Sequence, residues 1–312
     1  MPLIRRLVFA CVVVFLAGFV HAQEKYMLRL NLEAGQRYQQ RMTMTQSIDQ
    51  VMNGITVTMN QDMTLDYDYS VTDVDAQGVA TVESTYNRVA SKVSTQGMAV
   101  SFDSATAEDP ISPEFRPLAA MVGKKFTMRI SPLGSVASIE GLSEILDAVI
   151  AEMSVEGPAR EQVLENMKRQ FGEEAMKDLI EQAMAIYPLE PVAVGDTWAK
   201  TLEIRQMVPL KLDNTWVLKE VTDETATLEV TSLIGPAGDD TTVNMMGAEL
   251  NVRLEGAQSG TSIIDRKTGW VESSTVNQNV DGAMTLPGVE GLPEGMSIPL
   301  SIRSTVTVGE VE

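Results

Sequence analysis

The stretch ITVTMNQDMTLDYDYSVT, residues 55–72, carries the pattern that decides the fold. Its odd positions, Ile55, Val57, Met59, Met63, Leu65, Tyr67, Tyr69 and Val71, are apolar, with Gln61 the single interruption. Its even positions, from Thr56 to Thr72, are all polar. A period of two belongs to an extended strand with one dry face and one wet face. At roughly 3.3 Å per residue the strand runs for more than about 50 Å, far beyond the usual length. So long a strand has to bend or coil, which predicts a strongly curved antiparallel sheet. Asp62, Asp66 and Asp68 fall on the face read as wet.

The chain opens with an export pattern. Arg5 and Arg6 precede an apolar run from Leu7 to Val20, and Val20-His21-Ala22 forms an A-x-A-like cleavage site. Residues 1–22 therefore read as a signal peptide. The mature chain is expected from Gln23, in the periplasm or outside the cell. The run is short for a membrane span and no other long apolar run follows, so no transmembrane segment is expected after cleavage. Cys11 lies early in the apolar run, which favours cleavage after Ala22 over lipid attachment.

Cleavage has a chemical consequence. Cys11 and His21 are the only cysteine and histidine of the 312 residues, and both lie in the signal. The mature chain then has no disulfide, no Cys/His zinc site and no thiol or histidine catalysis. The charge points the same way. With 24 Lys+Arg against 43 Asp+Glu the net charge is −19; without Arg5 and Arg6 it is 22 against 43, or −21. An acidic surface repels nucleic acid, so no nucleic-acid partner is expected.

Two halves look alike. Leu32-x-x-Gly35-x-x-Tyr38 answers Val192-x-x-Gly195-x-x-Trp198. The hairpin from Tyr69 to Glu83 answers the one from Trp216 to Glu229. Turns then follow at Ser131–Gly134 and at Asp265–Gly269. This pattern reads as a diverged duplication. Between the halves, Leu142, Ile145, Leu146, Val149, Ile150 and Met153 repeat at helical spacing. Two more stripes follow, through Met167 and Phe171 and through Ala175, Met176, Leu179 and Ile180, until Pro188 and Pro191. The alternating run from Ile298 to Val308 is a last strand, with Pro299 pointing to an edge or a strand start. Residues 103–117 and 286–295 read as loops.

The predicted fold class is α+β: a curved antiparallel sheet, half-barrel-like and of two similar halves, packed on a central helical segment. The expected divisions are a first β-rich half over 23–139, a helical segment over 140–187 and a second β-rich half over 188–312. Together they form one domain from 23 to 312.

Candidate chemistry is thin. Asp73-Val-Asp75-Ala-Gln-Gly78 resembles the start of a calcium loop, but its twelfth position is Ser84, so a hairpin turn is the better reading. Met42-x-Met44 and Met245-Met246 offer thioethers, yet with no histidine or cysteine beside them they read as core rather than copper ligands. No phosphate loop or nucleophile elbow occurs. No catalytic residue, metal site or cofactor is expected, and a hydrolase using paired carboxylates is the least favoured reading.

The signal, the Gly-x-x-Tyr/Trp openings and the Asp-Arg-Lys-Thr-Gly-Trp hairpin resemble an uncharacterised family of secreted bacterial β-rich proteins. That resemblance implies no known activity. A curved sheet covering helices is also similar in outline to periplasmic lipoprotein carriers and lipid-binding lipoproteins. The leading expectation is a non-enzymatic exported protein that binds an apolar small molecule, a lipid or an envelope protein between sheet and helices. Met59, Met63, Leu65, Tyr67, Tyr69, Ile145, Val149 and Met176 are the ligand-facing candidates. A structural or assembly protein of the envelope without a ligand is the alternative, because a packed core and a lipid cavity use the same residues. If the export reading holds, the intact mass of the exported form begins at Gln23, and reductant leaves its melting temperature unchanged. A chain that retains Arg5 contradicts it.

Overall fold

The computed structural model describes residues 23–52, 54–153, 157–204, 208–239, 241–245, 248–286 and 295–311. The signal segment with Cys11 and His21, Met246 and most of the 286–295 loop lie outside the described residues.

The chain is predominantly β, built as one large curved, unclosed antiparallel sheet with few helices. The first half supplies β1 (Arg37–Met52), β2 (Ile55–Val74), β3 (Ala80–Thr95), β4 (Met98–Asp103), β5 (Lys125–Ile130) and β6 (Val136–Glu140). The second supplies β7 (Thr197–Ile204), β8 (Leu210–Val221), β9 (Thr225–Pro236), β10 (Thr242–Met245), β11 (Ala248–Asp265), β12 (Val271–Leu286) and β13 (Met296–Glu310). The helices are α1 (Arg116–Ala119), α2 (Leu142–Ala151), α3 (Pro158–Phe171) and α4 (Glu173–Met184). The strand order is β6-β5-β3-β2-β1-β13-β12-β11-β9-β8-β7, with β4 on β3 and β10 on β11. Both halves thus lie in a single sheet, joined where the first strand pairs with the last.

The repeat seen in the sequence recurs in backbone detail. The Gly35 amide donates to the Val71 carbonyl (2.8 Å) and the Val71 amide to that of Gln36 (2.9 Å). In the second half the Gly195 amide donates to Leu218 (2.7 Å) and the Leu218 amide to Asp196 (3.1 Å). β4 and β10 both follow the third strand of their half in the chain, β4 pairing back onto β3 and β10 forward onto β11. β13 is the strand without a counterpart.

Curvature comes from close approach of neighbouring strands. A side chain at Gly256 would stand 2.1 Å from the Asn279 carbonyl, and one at Gly282 2.0 Å from that of Arg253. Only a residue without Cβ lets β11 and β12 lie so tightly together.

One end of the sheet is closed. The segment before β1 crosses it: the Tyr26 amide bonds to the Val192 carbonyl, Leu30 to Pro132 and Asn31 to Thr268. Its Leu28, Leu30 and Leu32 are buried in the main core. That core also takes in Leu65, Val82, Tyr86, Phe126, Ile145, Val149, Trp216 and Leu228. An aromatic chain threads through it. Tyr38 stacks on Trp270 (4.2 Å), Trp270 meets Tyr69 edge-on (5.3 Å), and Tyr69, Tyr67, Tyr86 and Phe126 follow at ring contact.

Three expectations change. First, the helices cover only part of the dry face, where Leu142, Ile145 and Val149 of α2 join Leu65 in the main core. α2 packs by β5, while α4 packs against β6 and β7, the two edges of the sheet. Glu181 of α4 accepts a hydrogen bond from the Val136 amide (2.7 Å), satisfying an edge donor that has no further strand. Second, β13 is central, not an edge. Pro299 is tolerated because pairing with β1 stops at Leu300. Third, Asp66 is not solvated. It is 6% exposed, bound by two bonds from Arg41 (2.7 and 2.8 Å) and facing Arg88 at 4.0 Å. Arg88 in turn pairs with Asp103 of β4 (2.5 Å), and this bond holds the Asp103 carboxyl below the usual range.

Asp66→Ala therefore leaves two guanidinium groups short of a partner. The expected cost is roughly 1–3 kcal/mol in urea unfolding. Asp62→Ala, on the same face but exposed, should stay within about 0.5 kcal/mol. Equal effects would contradict the charge network.

Candidate functional site

The inner face is the one on which Leu65, Leu212, Leu228 and Val280 are buried. Cross-strand register turns its side chains into rows. One row is polar throughout: Gln61 (β2), Gln46 (β1), Ser304 (β13), Gln278 (β12), Gln258 (β11), Ser232 (β9), Asn214 (β8) and Lys200 (β7). Each is the direct partner of the next. The interruption at Gln61 in the long strand is thus one end of a belt that crosses eight strands, about 34 Å at the usual spacing of strands.

Apolar rows flank the belt. Toward the closed end stand Met63, Met44, Val306, Val276, Gly260, Val230, Trp216 and Trp198. Toward the open end stand Met59, Ile48, Ile302, Val280, Gly256, Ile234, Leu212 and Leu202. The packed cores divide in the same way. The main core lies on the closed side, and a smaller one of Leu212, Ile234, Val243, Val252, Leu254 and Val280 lies on the open side.

The two halves of the belt differ. In the second half it is buried and bonded to itself. Ser232 donates to Asn214 Oδ1, and Gln258 Nε2 donates to Ser232 Oγ (3.1 Å). Asn214 and Ser232 are each 4% exposed. Lys200 ends the row, where burial lowers its pKa against the opposing pull of Glu181. Toward β1 and β2 the belt is half-open. Ser304 donates to Gln278 Oε1 (3.2 Å), while the Gln46 and Gln61 amides have no side-chain hydrogen bond among the described residues. The apolar neighbours there are half-open too. Met44, Ile48, Met59, Val276 and Val306 belong to neither packed core.

The ligand-facing candidates from the sequence divide accordingly. Leu65, Ile145 and Val149 are buried in the main core, and Met63, Tyr67, Tyr69 and Met176 pack against it. Burial raises the pKa of Tyr67 and Tyr69, so both stay neutral. Met59 lies on the half-open part of the face. Asp75 acts as a turn residue. Its Oδ1 accepts from the Gln77 and Val79 amides (both 2.9 Å), and its Oδ2 pairs with Arg129. Gln46, Gln278 and Ser304 went unread because only register, not spacing along the chain, brings them beside Gln61.

Two clefts lie away from the half-open part of this face. One of about 520 Å³ is lined by Asp62, Thr64, Lys92 and Phe102 and by the proline-bearing loop through Phe115. Another of about 440 Å³ sits by Tyr38, Asp265, Trp270, Glu272 and Glu310. Partial burial, with repulsion from Asp265 and Glu310, raises the pKa of Glu272 there.

The family described as of unknown function, DUF6263, matches residues 77–271, more than half of the chain. The chain belongs to this family. The match runs from the β2–β3 turn to the first residue of β12, so it spans the helical segment and the self-bonded half of the belt. No curated protein matches the chain. Among solved structures, a lipovitellin described for its lipid–protein interactions aligns with a TM-score of 0.48 at 9% identity, over 90% of this chain and 25% of that one. The chain thus spans a quarter of the lipovitellin it matches. An outer membrane channel of Pseudomonas putida F1 aligns at 0.20 and 8% identity, over 89% of this chain and 97% of that one. OccK7 of Pseudomonas aeruginosa aligns at 0.22 and 4% identity, over 88% of this chain and 99% of that one. Likenesses this weak say nothing of function.

The self-bonded half of the belt is testable by itself. Asn214→Leu removes the acceptor that Ser232 and Gln258 share. A loss of roughly 1–3 kcal/mol in urea unfolding is expected, since buried donors are then left without partners. A neutral or stabilising effect would contradict the network.

Proposed function

We propose that this chain is an exported, non-enzymatic protein that holds an apolar ligand against the half-open inner face of its sheet. The observation that carries the reading is the set Met44, Ile48, Met59, Val276 and Val306. These side chains share one concave face, stay outside both packed cores and remain partly exposed. Contiguous apolar surface of this kind marks a binding site more often than bare solvent contact. Methionine suits it, because an unbranched thioether adapts to irregular ligands.

The space first expected to hold a ligand, between sheet and helices, is filled by Leu65, Ile145 and Val149. The ligand surface therefore lies farther along the sheet, toward the open end. Met52, Ile55, Met98 and Val100, all exposed, stand at the strand tips of that same end and give a greasy approach to it. The described chain holds neither His nor Cys, which leaves no thiol or imidazole for catalysis.

The test is binding of the neutral dye N-phenyl-1-naphthylamine, with native mass spectrometry of the protein from its own envelope. Saturable fluorescence and a co-purifying apolar mass are expected. Ile48→Asp should weaken the dye by about ten-fold or more, since it sets a charge on the apolar row, with the melting temperature retained. A clean ligand-free mass together with no saturable dye signal would overturn the reading.

A further inference from the structure

The belt stands in the middle of the proposed ligand surface, and its chemistry limits what can lie there. Around the belt, over residues 42–52 of β1, 55–65 of β2, 274–284 of β12 and 298–308 of β13, the inner-facing positions carry Met, Ile, Leu, Val, Gln, Ser and Gly and no charged residue; Glu310 lies beyond them, beside Gln40 toward the closed end. The charges of these strands, such as Arg41, Asp66, Asp281 and Arg303, point to the outer face and pair there with one another. An ionised headgroup drawn onto the inner face would lose water and meet no counter-charge, which costs several kcal/mol. A pure hydrocarbon would instead cover the Gln46 and Gln61 amides and leave their hydrogen bonds unmade. A neutral group with its own donors and acceptors avoids both penalties.

The amides are placed for such a group. Gln46 and Gln61 face each other across β1 and β2, and Gln278 lies two strands along the same row. Each side-chain amide offers two N–H donors and one carbonyl acceptor. Gln278 has its carbonyl engaged by Ser304 and its amide nitrogen directed to no described partner. Met44 lies one row toward the closed end, and Ile48 and Met59 one row toward the open end. A headgroup on the belt therefore has apolar strand surface on both sides for its chain, with rows roughly 6.7 Å apart.

The geometry points to an uncharged amphiphile as the ligand: an acyl chain whose headgroup bears ester and hydroxyl oxygens, as in an acylglycerol, read by Gln46, Gln61 and Gln278. This inference rests on the apolar-ligand reading and names the class of ligand for the same face. The bonds are non-covalent, and selectivity arises from matching neutral donors and acceptors in a site that excludes charge.

The experiment displaces bound N-phenyl-1-naphthylamine from the full exported chain with three probes of one chain length: 1-monooleoylglycerol, oleate and 9-octadecene. Monooleoylglycerol should displace the dye at a concentration about ten-fold lower than either of the others, the worth of one or two neutral hydrogen bonds. In the Gln46→Leu/Gln61→Leu double variant that advantage should vanish, with octadecene binding as well as before and the melting temperature no lower. Gln278→Leu alone should remove part of it, which keeps the test available if the double variant does not fold. Equal displacement by all three probes in the unaltered protein would overturn the inference and leave the apolar-ligand reading intact. Preference for oleate would also overturn it, in favour of a charged headgroup. Absence of any dye binding would sink both.

Discussion

The pairing of β1 with β13 is the constraint on which the rest depends. Eleven residue pairs, from Gln40 with Glu310 to Gln50 with Leu300, join the first strand to the last. A contact between strands more than two hundred residues apart carries a large loop-closure cost, which the long ladder and its flanking side chains must offset. Without it the two halves would be separate sheets, one with a bare edge at β1 and the other at β13. With it the halves become one surface, and the belt passes across the seam from Gln46 to Ser304. The outer edges, β6 and β7, then fall to α4, whose Glu181 satisfies the Val136 amide.

Curvature and the belt follow from that continuity. A flat sheet of this width has no interior. Close packing at Gly256 and Gly282 bends it, so that the inner face of β8, β9 and β11 is buried without a second sheet laid over it. Polar residues buried in this way must bond to one another, as Asn214, Ser232 and Gln258 do. Where the face stays half-open, at β1, β2 and β12, Gln46 and Gln61 make no side-chain hydrogen bond among the described residues and Gln278 accepts one, from Ser304. Burial, more than residue type, separates the self-bonded network from the half-open stretch proposed to receive a ligand.

Much of the sheet was legible. The alternation from Ile55 to Val71 fixes β2 and its dry face, and the matching turns at Gly35 and Gly195 carry matching hydrogen bonds. The helical stripe from Leu142 does form α2 with Ile145 and Val149 buried. Two things were hidden. Asp66 looks like any other polar residue on the wet face until folding brings Arg41 and Arg88 to it. The belt has no local signal, because its members come from eight strands and the polar residue in each looks like an isolated lapse in alternation. Gln61 was visible as such a lapse. Its meaning required the register of every strand from β2 to β7.

The most direct measurement is disulfide trapping across the seam. The chain from Gln23 has no native thiol, so engineered cysteines report without interference. Thr43 and Thr307 are direct partners with their hydroxyl groups in contact, whereas Thr43 and Thr305 are offset by two residues. Directly opposed residues lie within the Cα separation a disulfide accepts, and the diagonal pair falls outside it. Thr43→Cys with Thr307→Cys should oxidise almost completely under mild conditions, and Thr43→Cys with Thr305→Cys hardly at all. Equal oxidation of the two pairs, or a preference for the offset one, would contradict the register, and with it the single sheet and its continuous belt.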